Sequence, residues 1–202
     1  MATWDTILQT FSKDILAPTI VGLGAVFAVW YKSWLANKRK QFTIRISAEK
    51  NDRIQVLLTE VRARLDADRT YLCMFHNGSK YTQGSEILKV SRTNESANPG
   101  VSLEAQHYQN ILISLIPDEM TLVTEDGPSF TKVTDLKDGK FKRMCIARGI
   151  QSIARCAVRK GNEIIGYLGA DFNDIEERPA NIDELCQYAG IVEQVLTSSK
   201  ER

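Results

Sequence analysis

Residues Ile15 to Tyr31, ILAPTIVGLGAVFAVWY, are seventeen consecutive positions without a charge, closed by Lys32 and then by Lys38-Arg39-Lys40. Such a run has three fates: a membrane span, a cleaved leader, or a helix buried in a core. Crossing roughly 30 Å of hydrocarbon takes about 20 apolar residues, so the run is slightly short. Trp30, Tyr31 and Trp34 suit the headgroup level, and Lys32 can snorkel outward so that Ser33 to Ala36 extend the helix. A leader fits poorly, because the first fourteen residues hold only Lys13 against Asp5 and Asp14 and no small-x-small cleavage site follows. Residues 15–36 are therefore expected to be a transmembrane anchor, with a buried helix of a soluble protein as the alternative.

On the C-terminal side Lys32, Lys38, Arg39, Lys40 and Arg45 all precede the first acid, Glu49. That asymmetry places the N-terminus outside the inner (plasma) membrane and the C-terminal body in the cytoplasm, a single-pass topology. Gly24 and Ala28 form a small-xxx-small pair along which two such helices could meet. Ahead of the anchor, Trp4, Ile7, Leu8 and Phe11 recur at helical spacing, so residues 1–14 read as a short amphipathic segment in the interface.

The remaining chain is the size of one ordinary domain with a substantial core. Lysine plus arginine number 26 against 25 acids, which gives no basic field for nucleic acid and excludes it as a partner. Cys73, Cys145, Cys156 and Cys186 are widely spaced without a C-x-x-C, and only His76 and His107 supply imidazole. The simplest reading is a reduced domain that holds no metal and no cofactor. No phosphate-binding loop and no H-E-x-x-H occurs, so no catalytic residue is assigned.

In chain order, residues 37–68 read as a linker helix with an apolar seam of Ile54, Leu58, Val61 and Leu65 and Asn51 one step before it. The seam would serve a short parallel coiled coil or pack the helix on its own domain. The run TYLCMFH, 70–76, predicts a central strand ending at the Asn77-Gly78 turn, and 86–93 predicts a second. Ser102 to Ile116 predicts a helix stopped by Pro117, and Met120 to Glu125 a short strand. Phe141 to Arg148 predicts a helix capped by Gly149. Strands over 152–159 and 163–172 joined by Lys160-Gly161-Asn162 predict a hairpin, and a last amphipathic helix starts at Ile182. This order is α+β, an antiparallel sheet of residues 69–202 covered by its first and last helices.

At Gly149-Ile150-Gln151-Ser152, Ile164-Ile165-Gly166-Tyr167-Leu168-Gly169 and Ile182-Asp183-Glu184-Leu185 the sequence resembles a GAF domain, over Ile54 to Leu196. Phe75-His76-Asn77-Gly78 with Ser91, Thr93 and Glu95 is similar to a GAF-related group in small membrane-anchored bacterial and bacteriophage proteins. The resemblance implies a GAF/PAS-like sheet with a ligand pocket on the face away from the terminal helices. Carried over by position, its wall would draw on His76, Asn77, Ser91, Thr93, Glu95, His107 and Tyr108. Strand alternation sets Ser91 and Thr93 on one face. Two hydroxyls, an imidazole and a carboxylate there suit a small polar ligand, whereas a purely local role would leave Asn77 and Gly78 as a turn.

The expectation is a membrane-anchored sensory or ligand-binding module, a homodimer or higher homo-oligomer. It would have no enzymatic output, since no catalytic constellation is present, while the lack of a following kinase, cyclase or DNA-binding module speaks for the alternative. The alternative is a structural or interaction protein, phage-encoded in one version, that uses the same domain to dock a protein partner.

Overall fold

The computed structural model describes residues 17–80, 86–174 and 177–198. The chain divides into two compact units, Met1–Glu49 and Lys50–Arg202. A single helix, α1 (Ala17–Leu65), contributes to both, where the sequence suggested an anchor and a separate linker helix. The 1–14 segment lies outside the described residues, as do Ile15 and Leu16.

Among the described residues no helix is long and apolar enough to cross a membrane. The expected anchor over 15–36 is not supported by the described residues: from Ala17 the uncharged stretch runs only to Tyr31 before Lys32 intervenes, short of the about 20 residues a span takes. What α1 shows instead is an exposed aromatic ladder. Phe27 stacks on Tyr31 at 6.2 Å and Tyr31 on Trp34 at 5.9 Å between ring centroids, following the i, i+4 and i, i+3 neighbours of a helix. Lys38 Nζ caps the ladder 4.4 Å from the Trp34 ring.

In the second unit, β1 (Arg69–Lys80), β2 (Glu86–Ala97), β3 (Ile111–Leu112), β4 (Ser129–Lys132), β5 (Ser152–Lys160) and β6 (Glu163–Phe172) form one antiparallel sheet in the order β3-β2-β1-β6-β5-β4. The C-terminal part of α1 and α4 (Glu184–Thr197) cover one face. Ile54, Leu58, Val61 and Leu65 are at most 2% exposed and pack there with Leu185, Ala189 and Val192. The seam is thus consumed inside its own domain, and its use as a coiled-coil contact is overturned. Helix α1 ends at Asp66 in the left-handed region (φ 52°), where the Ala67 N–H donates to Arg62 O at 3.0 Å.

Local signals hold where they are strongest. Gly161 (φ 61°) turns the β5–β6 hairpin, and Gly149 (φ 69°) follows α3 (Lys140–Ala147). Three expectations change. β1 continues through Asn77-Gly78 to Lys80, absorbing them in a register shift between Asn77 and Ser79. Met120 to Glu125 is not a strand, because Pro117 at the first helical position with Asp118 and Glu119 in the first turn starts α2 (Pro117–Thr124). The helix expected over 102–116 is a strap of turns across residues 98–110, followed by β3 and a single 3-10 turn at Ile113–Leu115. Asn110 (φ 56°) breaks any helical path there.

Candidate functional site

Alternation along β1 sends Leu72 and Met74 toward the helices and Arg69, Tyr71, Cys73 and Phe75 to the opposite face. On β6, Asp171, Gly169 and Tyr167 pair with Arg69, Tyr71 and Cys73, and on β5 Arg155 pairs with Gly169. Gly169 is required: a Cβ there would lie 2.4 Å from Tyr71 Cε2, because the phenol ring lies across that position. On β2, Leu72 pairs with Asn94 but Cys73 with Arg92, leaving Thr93 as an extra residue. This bulge reverses the alternation, so Arg92 and Glu95 share the Tyr71 face while Thr93 turns outward.

The result is a buried cluster of three guanidiniums, Arg69, Arg92 and Arg155, with three carboxylates, Glu95, Glu119 and Asp171. Arg92 Nη1 donates to Glu95 Oε1 at 2.7 Å, and Arg69 Nη1 to Asp171 Oδ2 at 3.3 Å. Arg155 Nε donates to Glu119 Oε1 at 2.9 Å while its Nη1 reaches Asp171 Oδ1 at 3.4 Å. Tyr71 donates to Asp171 at 2.9 Å, and Tyr108 donates to Glu119. The Arg92 guanidinium lies 3.5 Å from the Tyr71 ring centroid and 5.0 Å from that of Tyr108. Arg69 Nε stands 3.1 Å from Glu95 Oε1 without hydrogen-bond geometry, and Arg92 Nε has no hydrogen-bond partner among the described residues.

Electrostatics follow from this packing. Burial opposes ionisation of Asp171, but Arg155, Arg92, Arg69 and the Tyr71 hydroxyl together hold it below the ordinary carboxylate range. Burial likewise works against the charge on Arg92, yet Tyr71, Cys73, Asp171 and Glu95 raise its pKa. Burial pushes the Tyr71, Tyr108 and Tyr167 hydroxyls well above the usual phenol range.

The strap over 98–110 is tied to this cluster. Glu95 Oε2 accepts the backbone N–H groups of Glu104 and Ala105, both at 2.7 Å. Arg69 Nη2 donates to Ser102 O at 2.6 Å, the Arg92 N–H donates to Tyr108 O at 2.8 Å, and Arg148 pairs with Glu104 at 3.1 Å. Of the residues expected to share a pocket, Glu95 and Tyr108 lie in the cluster. His76 Nε2 and Ser91 Oγ form a separate contact at 2.9 Å, with the Asn110 N–H donating to Ser91. Asn77, Thr93 and His107 are exposed and belong to neither.

No family model matches this sequence, and no curated protein matches it. Solved structures do. The blue-light absorbing form of the Thermosynechococcus elongatus PixJ GAF domain is 13% identical with a TM-score of 0.59, over 75% of this chain and 86% of that one. The phycocyanobilin-bound GAF domain of a cyanobacterial phytochrome is 20% identical with a TM-score of 0.52, over 78% and 88%. The fold is that of a GAF domain. In this chain the face opposite the terminal helices is filled by its own side chains, the charge cluster and its tyrosines together with a second apolar core that includes Val90, Ile116, Phe141 and Ile153.

Arg69, Arg92, Glu119, Arg155, Tyr167 and Asp171 were missed by sequence reasoning. For Arg155 and Asp171 the available signal is a charge inside an apolar run, SIARCAV and GADF. Two further points differ from expectation. Cys156 and Cys186 form a disulfide between β5 and α4, with Cα atoms 5.4 Å apart, where a fully reduced set was expected. Cys73 and Cys145 are buried thiols, both pushed up to about 12 by burial.

Proposed function

We propose that this GAF domain is a sensory, ligand-binding module without enzymatic output. In this reading a small molecule bearing an acidic group enters beneath the 98–110 strap and replaces Glu95 at Arg92. The observation that carries it is Arg92 itself: buried, held against Tyr71, and with Nε unpartnered among the described residues. A face closed by six charges gains little stability over an apolar one, because desolvation offsets the attraction, but it is well suited to recognising an anion. The chromophore held by the phycocyanobilin-bound neighbour supports a small-molecule reading of this fold. Attachment here would be non-covalent, since the free thiols are buried and protonated.

The same proposal includes attachment to the inner membrane through the N-terminal segment, with the domain cytoplasmic, and homo-oligomerisation along Gly24 and Ala28. The uncharged run, the exposed Phe27-Tyr31-Trp34 ladder and Lys38 beside it support that address. Sedimentation of cell membranes checks it: the chain stays in the pellet after carbonate washing, whereas release into the wash contradicts an inserted segment.

Native mass spectrometry of the full-length chain tests the ligand. An anionic small molecule accompanies the wild type and is lost from Arg92→Met with the fold retained by circular dichroism. Wild-type protein that carries nothing and shows no thermal shift with phosphate, citrate or nucleotides overturns the reading. A docking role is the second reading, favoured by the fact that none of the three described cavities opens onto the cluster. In that case Arg92→Met and His76→Ala leave function intact, and surface substitutions on α1 and α4 abolish assembly.

A further inference from the structure

The Cys156–Cys186 disulfide lies at the floor of a groove of about 280 Å³ between β5, α4 and the turn after α2. That is roughly nine water volumes at about 30 Å³ each, enough for a small thiol. Gly127 and Gly190 keep the groove open, and a Cβ added at Gly190 would meet nothing within 4 Å. Glu125, Asp126 and Glu193 face it against the single cation Arg159. Cys156 is nearly buried, whereas Cys186, in the first turn of α4, is half-buried and is the sulfur an incoming thiol reaches first.

We propose that this pair is a thiol–disulfide exchange site, a redox clasp between α4 and β5 that a dithiol entering the groove opens. The thiolate of the dithiol attacks Cys186 Sγ, the protein S–S bond breaks, and its electron pair leaves on Cys156 Sγ, which takes up a proton. The second thiol of the reductant then attacks the mixed disulfide and releases Cys186. The dithiol is oxidised to its disulfide, and the protein pair gains two electrons and two protons. A disulfide of the same class reverses the sequence.

The clasp has a route to the rest of the domain. Helix α4 packs against α1 in one apolar cluster. Arg64 meets Glu184 at 3.5 Å, Asn181 donates to Arg64 O, and Lys50 Nζ donates to Leu196 O at 2.8 Å. Opening the clasp removes the covalent tie of α4 to the sheet while leaving these contacts to α1, so the α4–α1 pair becomes the part free to shift. The acidic lining further selects neutral or cationic thiols over anionic ones.

The full-length oxidised chain, treated without denaturant, tests this by alkylation mass spectrometry and hydrogen exchange. Dithiothreitol is expected to expose Cys156 and Cys186 to alkylation while Cys73 and Cys145 stay unlabelled. Exchange should rise in 184–197 and 50–65 but not in β1 and β6. Gly190→Leu, which fills the groove beside Cys186 and leaves both cysteines in the sequence, should slow reduction about tenfold. Cysteamine should outpace glutathione about tenfold after each rate is normalised to a small-molecule disulfide. Cys186→Ser should reproduce the reduced exchange pattern; should it fail to fold, reduced wild type decides the point. The proposal is overturned by two free thiols in air-purified protein or by a disulfide that yields only in denaturant. Global unfolding on reduction, or a Gly190→Leu rate equal to wild type, also overturns it.

Discussion

The two faces of this one sheet both bury apolar side chains, but only one of them also buries charge. Toward α1 and α4 lie Leu58, Val61, Leu168, Phe172 and Val192, an apolar layer whose attraction is non-directional and scales with area. Toward the strap lie Arg69, Arg92, Arg155, Glu95, Glu119 and Asp171, whose attraction is directional and largely offset by desolvation. The comparison teaches that burial stabilises both faces, since Val90, Ile116, Phe141 and Ile153 form a second apolar core, and that only the second face adds directional charge pairs to it. An apolar layer tolerates volume-conserving change, whereas removing one member of a charge cluster strands its partners.

Breaking the charged face by one member should therefore have the largest effect. Arg155→Met leaves Glu119 without its guanidinium and removes one from Asp171, for an expected loss of about 4 kcal/mol in urea unfolding. Adding Glu119→Leu should recover at least about half of that loss, since an apolar replacement of both partners is nearly neutral. On the helix face, Leu58→Ala should cost about 3 kcal/mol from lost burial and the cavity left behind, with no rescue available from a second site. Opening the covalent tie by Cys186→Ser should cost about 2–3 kcal/mol at most, because α4 keeps its apolar contacts.

The smallest expected effect is that of pH, and on the charged face it has two signs. Asp171 is held below its ordinary pKa, so the stability it contributes is complete above about pH 4 and lost as pH falls through the depressed folded value. The hydroxyls of Tyr71, Tyr108 and Tyr167 are raised, so their contribution is complete below about pH 10 and lost as pH rises beyond it. Urea midpoints measured across pH should keep both slopes in Leu58→Ala. In Arg155→Met/Glu119→Leu, which removes the largest charge holding Asp171 down, the acid slope should shrink.

The same contrast explains what could be read from sequence. The α1 seam, the Lys160-Gly161-Asn162 hairpin and α4 were legible, because each depends on neighbours within one element. The charged face was not. An arginine in a strand reads as a surface residue until its partners on β2, β6 and α2 are placed, and those contacts span separations of up to 102 residues. One extra residue at Thr93 puts Arg92 and Glu95 on the same face, where alternation alone separates them. The 98–110 strap holds a helix-start signal at Ser102 that Ile111, Leu112, Leu115 and Ile116 continue at helical spacing. Its path is instead tied to Glu95, which accepts the Glu104 and Ala105 amides, and is turned by Asn110 in the left-handed region. The cysteine pair was equally hidden, since positions 156 and 186 meet only once α4 lies across β5.

The most direct test of this division is native-state hydrogen exchange in low urea, resolved at single amides. The Glu104 and Ala105 amides should exchange through a local opening of the strap, at a free energy well below global unfolding and with little urea dependence. The β5 and β6 amides beneath α4 should exchange only with the whole domain. Strap amides that exchange only by global unfolding would contradict a charged face that opens to admit a ligand.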